Sequence, residues 1–148
     1  MAADPNPMTT RREQILSTWA AVLAGMPQVS GRIWRSRVEP LQRHESPGIA
    51  LEWIDDNPDV RTSLPFLDWT LQARAVVVVR DTQPDVIADP IVAELHRRTM
   101  ASTALRDLTI DLMPGRTTCE LLQADSPAGL ITVPFVFNYR TSEADLET

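Results

Sequence analysis

The chain has one cysteine, two histidines, five glycines and no lysine among its 148 residues, and each shortage removes a class of chemistry. A lone cysteine, Cys119, cannot form an internal disulfide, and the spacing of a zinc or iron-sulfur site is absent, which points to a reducing compartment. Five glycines with no nucleotide-binding arrangement leave no phosphate cradle. His44 falls in a polar loop and His96 on an expected helix, without a partner at metal-ligand spacing, so both read as ordinary surface or packing residues. No cofactor or metal is expected. The chain also lacks the roughly 18-residue apolar run of a membrane span. Its first twelve residues are polar and proline-containing, with no apolar stretch of a signal peptide, so neither membrane insertion nor secretion by that route is expected.

What is present is a globular composition. Apolar residues make up 43% and charged residues 23%, which suits one packed core in a chain of single-domain length. A formal charge of -6 and a pI near 4.8 set the overall field against a phosphate backbone, although a local basic patch is compatible with that total. All fourteen basic residues are arginine, which suits planar two-pronged ion pairs at interfaces and equally the codon usage of a GC-rich genome.

Residues 1–9, with Pro5 and Pro7, read as a flexible arm, 10–141 as a single domain, and 142–148 as an acidic, mobile tail. Thr10 and Glu13 form a capping-box signature. Ile15, Trp19, Val22, Leu23 and Met26 then recur at helical spacing with Gly25 near the stop, which predicts a helix over 10–24. A strand is expected within 31–41, ended by Glu39-Pro40, and a second over 49–54 with Ile49, Leu51 and Trp53 on one face. Residues 55–65, rich in Asp, Asn and Pro, read as an exposed connection.

Leu67, Trp69, Leu71, Ala73, Ala75, Val77 and Val79 alternate without a break, the strongest strand signal in the chain. Val76 and Val78 make its far end apolar on both sides, implying cover on both faces. At about 3.3 Å per residue its length implies a bulge or a projection past the core. Asp89-Pro90 predicts the start of a second helix, running to residue 101 with Ile91, Val92, Leu95 and Thr99 inward and Glu94, Arg97 and Arg98 outward. Leu108, Ile110 and Leu112 alternate, Pro114-Gly115 offers a turn, and Thr117, Cys119 and Leu121 alternate again, as a hairpin or as one kinked strand. After a turn at 125–129, Ile131, Val133, Phe135, Phe137 and Tyr139 form the last strand, in which Pro134 calls for an edge or a bulge. The predicted class is α+β, a mainly antiparallel sheet of four to six strands with two helices packed on one face.

Few residues offer catalytic chemistry, and the reading is of a protein that is not an enzyme. Cys119, on an apolar strand face, is expected to be a buried small hydrophobe. Asp55 and Asp56 could share a proton or hold a cation but read first as a solvated turn. Trp19, Trp34, Trp53 and Trp69 all fall on expected apolar faces and are expected to share a core cluster rather than cage a ligand. Arg35 and Arg37 share one face of the first strand and could meet carboxylates of a neighbouring subunit.

Four stretches carry a family likeness: RREQILSTWAAVLAGM, VSGRIWRSRVEPLQRHESPGIALEW, DPIVAELHRRTM and LITVPFVFNYRTSEAD. Over residues 11–145 the chain resembles the tail terminator, or tail completion, proteins of long-tailed bacteriophages, of the minor tail protein U type. The likeness includes the closing Tyr139, Arg140 and Thr141 after alternating apolar residues. The resemblance implies a virion protein at the head-tail junction, assembled in the host cytoplasm. Such a protein forms a ring, usually of six subunits, that caps the tail tube, ends its elongation and docks the head connector or stopper. Genomic DNA would only pass through the lumen. Arg35, Arg37, Asp55, Asp56, Asp59 and Arg61 are the candidate inter-subunit or tube contacts. A head-tail joining protein is the alternative in the same class. A small ligand-binding domain with a Trp-lined pocket is the alternative outside it.

Overall fold

The computed structural model describes residues 9–37, 42–59, 65–123 and 126–148. They form an α+β fold in which three helices lie on one face of a six-stranded mixed sheet. The elements are α1 (Arg11–Leu23), β1 (Ile33–Arg35), β2 (Gly48–Pro58), β3 (Phe66–Val79), α2 (Pro84–Ala101), α3 (Thr103–Leu108), β4 (Asp111–Pro114), β5 (Thr118–Gln123) and β6 (Pro127–Ser142). The sheet order is β1-β2-β3-β6, with β4 and β5 both lying on the outer side of β6. All pairs are antiparallel except β1 with β2.

Helix α1 starts where the capping residues place it: the Thr10 hydroxyl accepts the Glu13 N–H at 3.1 Å. It buries Ile15, Leu16, Trp19 and Leu23 against the sheet. Helix α2 begins at Pro84 rather than Asp89, because Pro84 supplies an equally good first-turn proline six residues before Pro90. Pro90 therefore sits inside the helix. The carbonyl it leaves without an N–H belongs to Val86, which is 61% exposed, so water can serve it. Leu108 lies in a third helix and not in a strand, since the Ser102 hydroxyl accepts the Leu105 N–H and Leu105 is driven into the core.

Strands β3 and β6 pair without interruption from Phe66 opposite Ser142 to Val79 opposite Gly129. Their odd residues from Leu71 to Val79 and from Ile131 to Thr141 are buried beneath the helices. The stretch from Phe66 to Thr70 is less buried than the rest, yet Trp69 still packs against the core and its β6 partners Tyr139 and Thr141 are buried, and β3 itself carries no bulge. Val76 and Val78 remain partly exposed on the face away from the helices, which corrects the expectation of cover on both sides.

The irregularities fall in the outer strands. In β2 the register shifts between Trp53 and Asp55, so Asp56 rather than Asp55 stands opposite the buried Leu71. Strands β4 and β5 are two pieces of one broken strand along β6, which settles the hairpin alternative. Leu112 faces Phe137, and an unbroken count would bring Thr118 to Ile131; Cys119 stands there instead, so one extra residue has been inserted. The break lies at Gly115, whose N–H bonds to the Pro134 carbonyl at 2.9 Å. Pro134 thus sits inside the sheet opposite the break, where its missing N–H forgoes only the bond back to the Gly115 carbonyl.

The acidic tail is tied down rather than loose. The Arg11 N–H donates to the Leu146 carbonyl at 2.7 Å, and the Glu143 N–H to the Pro65 carbonyl at 2.7 Å. The tail carbonyl thereby satisfies one of the open N–H groups at the start of α1. Of the expected arm, residues 1–9, all but Thr9 lie outside the described residues.

Candidate functional site

Of the four tryptophans only Trp19 is fully buried, packed edge-on against Phe135 and Phe137 with its indole N–H on Thr99 Oγ1 at 3.0 Å. The expected common cluster does not form: Trp69 packs against the border of the same core, while Trp34 and Trp53 do not join it. Trp34 lies under the Arg37 guanidinium and Trp53 under that of Arg12, and Trp69 stacks on Tyr139. No tryptophan lines either of two surface clefts, one of about 410 Å³ by Gln14 and Leu108 and one of about 190 Å³ by Pro84 and Leu121.

The residues singled out from the sequence separate into three places. Arg35 turns back over α1 and grips Glu13 with both nitrogens, at 2.5 and 3.0 Å. Arg37 lies beyond the end of β1 and grips Glu45, with both bonds at 2.8 Å. The Arg37 bonds, joined by the Gln42 N–H, hold the Glu45 carboxyl at about 2 against an ordinary 4.5. The hydrogen bond from Arg35 likewise holds Glu13 below its ordinary value. Both guanidinium groups are thus engaged within the chain.

Asp55 and Asp56 are not in a loop but in the second half of β2, on opposite faces of the sheet. Asp56 is almost wholly enclosed. Its Oδ2 accepts the Tyr139 hydroxyl and lies 3.4 Å from Arg12, while its Oδ1 has no hydrogen-bond partner. Burial, reinforced by the neighbouring carboxylate, pushes the Tyr139 phenol far above its ordinary range. Asp59 follows the strand and is exposed. Arg61 lies outside the described residues. No signal in a single sequence announces the Arg12-Asp56-Tyr139 cluster, because the bulge that turns Asp56 inward is invisible to a period-two count.

Among the described residues no group of three or more His, Cys, Asp or Glu could hold a metal ion. His96 is exposed on α2 at 6.2 Å from the Phe135 ring, and His44 is exposed in a short turn. Cys119 is exposed rather than buried, since β5 runs beyond the cover of the helices. No helix is long and apolar enough to cross a membrane among the described residues.

Two surfaces remain without partners inside the described chain. The first is the sheet face opposite the helices. One half is polar, with Arg74 paired to Glu52, Arg140 to Asp68 and Thr70 to Asn138. The other half carries partly exposed Ala50, Val76, Val78 and Leu130, while Val136 stands opposite Gln72 among the polar rows. The second is β5, six residues all exposed, with Leu121 at 65%. A comparison with protein-family models finds no match for the chain, and no curated protein matches it.

Proposed function

We propose that this protein is a structural subunit of a long-tailed bacteriophage virion. It forms a ring, six subunits in the reading adopted here, that caps the tail tube, ends its elongation and docks the head connector. The observation that carries the reading is the uncovered sheet face, apolar over one half and salt-bridged over the other. Antiparallel sheets tolerate water on one side, but a solvated side normally alternates to polar residues, and an apolar patch there marks an interaction surface. Supporting it, the four stretches that carry the family likeness fall on α1, on β1 through β2, on α2 and on β6. A ring closes only through a head-to-tail interface joining two different patches, and the flat face and the sheet edges are different patches.

A subunit with formal charge -6 gives the lumen a field that lets DNA slide through without sticking. The arginines at 35 and 37 now read as supports of the rim and not as clean interface probes. Replacing them with Glu would set like charges against Glu13 and Glu45 and disturb the fold first. Negative-stain imaging of the purified protein, alone and with tail tubes, tests the reading. A ring at tube ends is the expected image, and a lone monomer that ignores tubes, or catalytic turnover in a pure sample, overturns it.

A further inference from the structure

The hydrogen-bonding sides of β6 are fixed by its neighbours. Its even residues turn N–H and C=O toward β4 and β5, as the bonds from Gly115 N–H to Pro134 O and from Ile110 N–H to Asn138 O require. Thr118, Glu120 and Leu122, opposite Thr132, Leu130 and Ala128, therefore spend their backbone groups on β6. Cys119, Leu121 and Gln123 point theirs away from the sheet, and β5 pairs with no other described strand. Exposed edges in natural proteins are blunted by lysine, proline, a bulge or brevity. Strand β5 has none of the first three along its six residues: the bulge lies before it, the nearest prolines, Pro114 and Pro127, lie outside it, and its one charge is Glu120.

We infer that β5 pairs with β5 of a second copy of this chain, antiparallel about a two-fold axis through Leu121 and perpendicular to the sheet. Such an axis keeps each residue on its own face and requires opposed residues of like parity. Centred on Leu121, it sets Leu121 against its own copy, Cys119 against Gln123 and Glu120 against Leu122. All three outward-facing residues then exchange N–H and C=O with outward-facing residues, the full set that the strand offers. Centring one residue earlier would place Glu120 on Glu120, a like-charge pair, and would strand Gln123 at the bulge. The central register also faces Leu121 to Leu121 beside the Pro84 cleft, removing the most exposed leucine among the described residues from water. The chemistry of the partner is read from the edge itself, since unmet backbone groups are matched by an extended backbone.

The pairing describes the free protein and does not rest on the tube-capping reading; being isologous, it does not by itself close a head-to-tail ring. A seam this short falls below the roughly 1,200 Å² of a standard stable interface, so the dimer is expected to be reversible. Cross-linking tests the register directly, because opposed residues lie about 5.5 Å apart between Cα atoms, within disulfide reach. The variant Gln123→Cys sets the new thiol opposite the native Cys119 of the other copy and should give a covalent dimer on mild oxidation. The unaltered protein should not, since its two Cys119 residues would be about 13 Å apart along the seam.

Leu121→Pro removes only an outward N–H, so it should leave the monomer's own ladder intact while weakening self-association at least tenfold. Leu121→Lys should do the same without a backbone change. Failure of Gln123→Cys to cross-link overturns the proposal. So does efficient linking of wild-type Cys119 to itself, or self-association unchanged in both Leu121 variants. Tube capping is scored separately by imaging, so a loss of one reading leaves the other standing.

Discussion

Several polar side chains of this fold have defined partners that fix their place. Trp19 brings an indole N–H into the core, and Thr99 meets it with a hydroxyl that in turn donates to the Leu95 carbonyl at 2.8 Å. Thr99→Val keeps the shape and strands a buried donor, which costs about 1–3 kcal/mol. Urea unfolding should show a lower midpoint for Thr99→Val and a smaller loss for Thr99→Ser. The carboxylates respond to pH in one direction. Glu45, held at about 2 by Arg37 and the Gln42 N–H, takes up protons more readily once unfolded. Its contribution is complete above pH 4.5 and is lost as pH falls toward 2, and the Arg35-held Glu13 and the Arg140-held Asp68 shift the same way. The thermal midpoint should therefore fall through that window, and Glu45→Gln should make the fall shallower. Thr99 was legible as the inward residue of its helix turn, because helical spacing alone fixes it. That Arg35 and Arg37 would turn back on Glu13 and Glu45 was not, because those partners are set by tertiary placement and by a loop.

Secondary structure was most legible where two signals agreed and least where the alternation changed phase. Helix α1 had both a cap and a stripe, and β3 and β6 had long unbroken alternation; all three form where they were expected, although β6 starts at Pro127, within the expected turn, and β3 is bare on its second face. The change of apolar residues from even positions at Ile110 and Leu112 to odd positions at Cys119 and Leu121 was itself a sign of an inserted residue. It leaves a hairpin and one kinked strand equally open, because a turn and a bulge share the same Pro-Gly wording. The bulge makes a specific demand. A Cβ at Gly115 would lie 2.9 Å from Pro134 Cγ, closer than real Cβ atoms approach. Gly115→Ala should thus destabilise by about 1–3 kcal/mol, and Pro134→Ala in the same chain should recover part of that loss. Additive costs in a double-mutant cycle by denaturant unfolding would show that the two residues do not meet. The short helix α3 escaped notice for the opposite reason, since six residues are too few to show a period.

At the scale of the whole molecule the sheet separates two roles. Its helix-covered side is a closed core, and its other side is a platform whose apolar half has no counterpart within the described chain. Composition and periodicity made the two-layer architecture legible, because one apolar stripe per helix and one face per strand leave few alternatives. They could not tell which end of the second face would stay apolar and bare, since Val76 and Val78 read equally well as residues covered from both sides. This difference supports the docking reading and can be tested on it. Val78→Arg together with Val136→Arg places two charges on the bare face, where surface substitutions shift stability by about 0.5 kcal/mol or less. Val77→Arg, one residue along the same strand, drives a charge into the core and should prevent folding. If the platform is what meets the tube or the connector, the double variant should keep its thermal midpoint and its far-ultraviolet spectrum while failing to appear at tube ends. A folded double variant that still caps tubes would move the docking surface elsewhere, to the sheet edges or to the exposed residues Asn57, Pro58 and Asp59.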